Sequence, residues 1–166
     1  VSRVTRNDDG SYSICNVAGA DEYANGVDDN AFTNGAAIRA LEYACEAARI
    51  CNEPVPEIWK EVGKGIRILR FKDGVTREHA TYNGEMIKQA DVNLLGYPLY
   101  FVGDAESQKK DMEYYVDKID PQNGPAMSYS VFCVQYARMG DAKRAYEMFC
   151  RCYQPNLRAP FGVLAE

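Results

Sequence analysis

The stretch Ala20–Asn34, ADEYANGVDDNAFTN, places four acids and three asparagines directly ahead of an apolar run. In that run Ala37, Leu41, Ala44 and Ala48 recur on one helical face, with Ile38 and Cys45 beside it. This spacing predicts a helix over 30–50. The acids then have separate readings. Asp28 and Asp29, just ahead of the helix, suit an N-cap and the positive end of its dipole. Glu22 sits earlier, in a Gly/Ala/Asn-rich loop of the kind that carries function on a rigid scaffold, with a plain solvated carboxylate as the alternative. A metal cluster is disfavoured: the chain has one histidine, His79, and its six cysteines form no CxxC pair. Most of those cysteines are expected to be small buried apolar residues.

Outward from this stretch the chain reads as helices with small hairpin insertions. Upstream, VTRNDDGSYSICNV is a hairpin around Asp9-Gly10. Downstream, a helix is expected over 56–66, starting at Pro56, followed by an Asp73-Gly74 turn between short strand-like pieces. A third helix, GEMIKQADVNLLGYPLY, stops before Pro98. A fourth runs over 107–119 with Ser107 as cap and Met112, Tyr115, Val116 and Ile119 inward. A fifth covers 124–140, and a sixth follows the cap Asp141. The third and fifth are apolar nearly all round, whereas the second, fourth and sixth keep a polar face. That alternation predicts inner and outer helical layers. Three such pairs would make half of a six-pair toroid, although a bundle or an α-solenoid presents the same pattern.

Composition narrows the partners. A net charge of −5 and a pI near 5.0 argue against nucleic acid or an anionic membrane surface as the main partner. An apolar share of 46% is enough for a core. No run approaches the roughly 18 apolar residues of a spanning helix. The chain starts without Met and ends in PFGVLAE, so it is expected to be cut from a longer one. Within it, Lys88 and Gln89 stand out in KQAD. A lysine on an interior helix is costly unless paired. It is read either as a ligand for sugar hydroxyls or as an i, i+3 partner of Asp91.

Together GADEYANGVDDNAFTN, KQADVNLLGYPL, GPAMSYSVF and PFGVLAE resemble glycoside hydrolase family 65, in the second half of its catalytic domain. That family holds phosphorylases of maltose, trehalose and kojibiose, and hydrolases such as acid trehalases and α-glucosidases. The resemblance implies an all-α fold, about half of an (α/α)6 barrel, with residues 1–166 forming three helix pairs and the N-terminal half absent. It implies that Glu22 is the general acid and that Lys88 and Gln89 hold the glucosyl unit. Asp21 and Tyr23, on either side of Glu22, are the further substrate-binding candidates, Asp21 also as the residue that orients the loop. Phosphorylases carry a His/Ser-rich phosphate loop where this chain reads Asn123–Phe132, with Ser128 and Ser130 but no histidine or basic residue. That departure points to the hydrolases, closest to bacterial α-glucosidases of Bacteroidetes, and makes Glu166 the candidate general base.

The implied reaction is inverting hydrolysis of an α-glucosidic bond, with the two carboxyls about 6.5–9.5 Å apart. Tyr82, Tyr97, Tyr129 and His79 are candidates to line the sugar site. No metal or organic cofactor is implied. The expected partners are a di- or oligosaccharide and either the missing half of the domain or a second copy. The family favours the periplasm. Two rival readings are a disaccharide phosphorylase and a non-catalytic, carbohydrate-binding helical fragment.

Overall fold

The structure, a computed structural model, describes residues 2–101 and 104–165. Two short strands, β1 (Thr5–Arg6) and β2 (Tyr12–Ser13), pair antiparallel with Thr5 opposite Ser13. The turn between them needs Gly10 at φ +84°, a conformation that glycine adopts without a Cβ penalty. α1 (Ala31–Ile50) follows the acid-rich stretch, and α2 (Glu57–Gly65) returns against it. α3 (Ala105–Tyr115), α4 (Ala126–Arg138) and α5 (Ala142–Tyr153) come next, with α4 and α5 packed as an antiparallel hairpin. A last ribbon, β3 (Leu157–Arg158) with β4 (Val163–Leu164), ends the described chain.

α1, α2, α4 and α5 form where the apolar periodicity placed them. α1 buries Ala31, Asn34, Gly35, Ile38 and Cys45, a stripe at helical spacing. Its cap is Asn30, whose side chain accepts from Thr33 N at 2.9 Å, so neither Asp28 nor Asp29 caps it. α3 is capped by Asp104, which accepts from Ser107 N at 2.7 Å, so Ser107 lies inside the helix. Asp141 caps α5 as expected, accepting from Arg144 N at 3.0 Å. Met112 and Tyr115 of α3 reach the main core with Ile119, Phe132 of α4 and Met148 of α5. A smaller core joins Tyr12, Ile38, Val62 and Ile66 under the first ribbon.

The segment expected as the third helix is different. Only one 3-10 turn, Val92–Leu95, forms there. The backbone N–H groups that would close an α-helix have other partners. Ile87 N donates to Lys118 O at 2.9 Å and Ala90 N to Ser128 Oγ at 2.9 Å. Lys88 N and Gln89 N donate to the Asp21 carboxylate. Each tertiary bond removes an i to i−4 link, so the apolar residues Ile87, Ala90, Val92 and Leu95 are buried without being α-helical.

All six cysteines are free, and only Cys45 is fully buried; Cys15 and Cys51 are exposed, against the expectation that most would be interior. No described helix is long and apolar enough to cross a membrane.

Candidate active site

The site is built on a buried carboxylate. Asp91 has no exposed surface and accepts four hydrogen bonds. Ala20 N donates to Oδ2 at 2.7 Å, Asn30 Nδ2 at 3.0 Å and Asp21 N at 3.3 Å, while Phe32 N donates to Oδ1 at 3.3 Å. One side chain thus ties residues 20–21 to the start of α1. Burial pushes its carboxyl up to about 6, against the pull of those donors. The approach is close enough to require Gly19, where a Cβ would lie 2.7 Å from Asp91 Oδ2 and 2.6 Å from Asn30 Nδ2.

Asp21 repeats the arrangement one layer outward. It is buried, and its Oδ1 accepts from Lys88 N at 2.7 Å, Tyr23 N at 3.2 Å and Gln89 N at 3.4 Å. Gln89 Nε2 donates back to Ala20 O at 2.5 Å. The loop and the KQAD segment are therefore stitched together in both directions. Between these anchors Glu22 is left outside, 63% exposed, with Oε2 2.5 Å from Lys88 Nζ. Lys88 is 28% exposed and its ammonium pKa is raised, chiefly by that hydrogen bond. The ion pair is with Glu22 rather than with Asp91.

The Tyr23 hydroxyl donates to Asp120 Oδ2 at 2.7 Å. Asp120 also accepts from Gln122 N and from both Asn123 N and Asn123 Nδ2. These donors, Asn123 Nδ2 first, hold its carboxyl well below the usual range. The turn that follows presses on the lysine segment: a Cβ at Gly124 would lie 3.0 Å from Lys88 O.

A cleft of about 230 Å³ opens beside Tyr23, lined also by Asp21, Glu78, His79, Tyr82 and Glu85. His79 takes one wall, edge-on to Tyr82 at 5.6 Å, and burial lowers its pKa. Tyr82 is almost fully buried, and its hydroxyl donates to Glu85 O at 2.8 Å.

The other end of the acid-rich stretch does different work. Asp29 is buried and meets Arg67 Nη2 at 2.5 Å and Ser13 Oγ at 3.0 Å. Asp28 accepts from Asn16 N at 2.8 Å.

Of the residues singled out in the sequence, Asp21, Glu22, Tyr23, Lys88 and Gln89 come together. Glu166 lies outside the described residues. Ser128 is buried with its Oγ accepting from Ala90 N, and Ser130 Oγ donates within its own helix to Met127 O. Four residues were missed. Asp91 was read only as an ion partner, although an acid between apolar neighbours in an interior segment signals a hydrogen-bonded anchor. Glu78, between Arg77 and His79, gives no such signal. Arg151 joins Arg158 around a cavity of about 340 Å³ beside Gly124 and Tyr129, a neighbourhood that only folding creates.

Residues 1–82 match the glycosyl hydrolase family 65 central catalytic domain. A kojibiose hydrolase of Mucilaginibacter mallensis is 48% identical over 99% of this chain and 24% of its own length. Another kojibiose hydrolase, of Flavobacterium johnsoniae, is 46% identical over the same shares. The chain thus spans about a quarter of the length of the curated relatives it matches. A solved structure provisionally described as a kojibiose phosphorylase from the human microbiome superposes with a TM-score of 0.70 at 19% identity, covering 89% of this chain and 25% of that one. That likeness carries the fold: the helices are part of an (α/α)6 barrel.

Proposed function

Since the chain belongs to glycoside hydrolase family 65, we propose that it supplies the general acid and the glucosyl-holding residues of an enzyme that hydrolyses α-glucosidic bonds in di- or oligosaccharides with inversion. One observation carries the reading: the exposed Glu22 carboxyl and the Lys88 ammonium, 66 residues apart in sequence, meet at 2.5 Å on a loop fixed by buried carboxylates. An acid that must reach a glycosidic oxygen is best presented this way, exposed at its tip and rigid at its root.

Glu22 donates its proton to the leaving oxygen, and Glu166 activates a water on the opposite face of the sugar. Lys88 and Gln89 bind hydroxyls of the glucosyl unit, while Tyr23 and His79 flank the leaving-group side. Asp21 acts by holding the loop, since its Oδ1 is already taken by three N–H groups. An ion pair needs an ionised carboxylate and proton donation needs a protonated one. The Glu22–Lys88 pair therefore opens when a sugar hydroxyl takes the lysine, which leaves Glu22 ready to take up a proton. Kojibiose is the favoured substrate, on the names of the two relatives above, and the periplasm the favoured site on family grounds.

The remaining helix pairs of the barrel are proposed to cover what this chain exposes. Tyr146, Phe149 and Phe161 are all large apolar residues in water, Phe161 at 88% exposure.

The test is the product. Hydrolysis of kojibiose by the full-length protein is expected to release β-glucose first, read by proton NMR before mutarotation, with no need for phosphate. Phosphate-dependent release of glucose 1-phosphate establishes the second reading, a phosphorylase, which the two arginines beside Gly124 favour. The bonded serines of α4 speak for the hydrolase.

A further inference from the structure

Glu78 is a buried acid of the cleft that the reaction above does not use. Its side chain has no exposed surface, and neither Oε1 nor Oε2 has a hydrogen-bond partner that ionised carboxylates allow. Its root is fixed: the Glu78 carbonyl accepts from Ala31 N at 2.7 Å and from Asn30 Nδ2 at 3.4 Å. Its carboxyl lines the same cleft as the Asp21 carboxyl, which is among the groups that raise its pKa. Two carboxyls that share a dry site are compatible only when one of them carries a proton. Asp21 has three N–H donors on Oδ1, a set that suits an anion, whereas Glu78 has none.

We propose that Glu78 is a positioning residue that stays neutral and donates an O–H hydrogen bond to the Asp21 carboxylate, fixing the loop that presents Glu22. Burial is the first cause of its raised pKa, about 9, with Asp91 and Asp21 adding to it. The groups that face it come from four places: Asp21 on the acid loop, Asp91 before the 3-10 turn, His79, Tyr82 and Glu85 on its own segment, and Tyr115 on α3. The effect on catalysis runs through Asp21, whose Oδ1 holds the amides of Tyr23, Lys88 and Gln89 in one register. The proposal rests on Glu22 being the acid.

Two measurements on the full-length protein test it. The first is isotope-edited infrared difference spectroscopy with ¹³C-glutamate, wild type minus Glu78→Gln. A protonated-carboxyl C=O band is expected at pH 7, and its absence overturns the proposal whatever the activity. The second compares kojibiose with α-glucosyl fluoride, whose leaving group needs little protonation. Glu78→Gln keeps an N–H donor toward Asp21 and is expected to retain kcat of the same order. Glu78→Leu is expected to lose about 10²-fold in kcat on kojibiose, with KM little changed and a much smaller loss on the fluoride. Equal losses on both substrates mean a merely structural residue and overturn the proposal. If Glu78→Leu does not fold, the infrared band and Glu78→Gln decide. A Glu22→Gln control separates the two readings: full turnover of kojibiose there removes the acid assignment without touching the infrared result.

Discussion

The two ends of the stretch 21–34 are equally acidic and are held in opposite ways. At the far end Asp29 is buried against a cation, with Arg67 and Ser13 on one oxygen and Asn34 Nδ2 on the other. At the near end Asp21 is buried against peptide N–H groups and a second carboxyl. A charge pair fixes one point in space. A carboxylate that gathers amides from three residues fixes the backbone itself, which is what a loop carrying an acid at its tip requires. The contrast explains why Glu22, beside the buried Asp21, is left with an open face.

The comparison breaks most sharply at Glu22. Glu22→Gln is expected to lower kcat on an unactivated α-glucosyl disaccharide by about 10²–10⁴-fold and to leave the melting temperature unchanged, read by steady-state kinetics and calorimetry. At the far end the effects are reversed. Arg67→Met strands the Asp29 carboxylate and is expected to destabilise the protein by about 3 kcal/mol, measured by urea denaturation, with kcat per folded molecule preserved. A large kcat loss there means that the two ends are not separate.

The near end has a pH signature. Glu78 is raised from its ordinary 4.5 to about 9, so the folded state binds its proton more tightly than the unfolded state. The stabilisation is complete below pH 4.5 and is lost as pH rises toward 9. Relative to Glu78→Gln, wild type is expected to lose about 1.4 kcal/mol per pH unit across that window, checked by denaturation at several pH values. The smallest effect lies outside both ends. Asp104→Ala removes the α3 cap and is expected to cost about 1 kcal/mol with no kinetic change.

Much of this was legible in the sequence. The periodicity located α1, α2, α4 and α5 closely, and the motifs named the residues that converge around Glu22. The segment 84–100 failed because its amides bond to Asp21, Ser128 and Lys118, partners that no local window contains. Asn30 rather than Asp28 or Asp29 became the cap because Asp29 was drawn to Arg67, 38 residues away. Glu78 was invisible for the same reason: its neighbours in sequence say surface, and its neighbours in space are Asp21 and Tyr82.

The sequence separations at the acid loop carry a consequence for how the molecule assembles. Ala20 bonds to a residue 71 positions on, Asp21 to one 67 on and Tyr23 to one 97 on. The α4–α5 hairpin, in contrast, closes over a three-residue turn. Chain closure over such spans carries an entropy penalty before any of those bonds forms. The loop is therefore expected to lock late, after the segments at 88–91 and 120–123 have docked. Chemistry here waits on topology: the acid is in position only once its most distant tethers are in place.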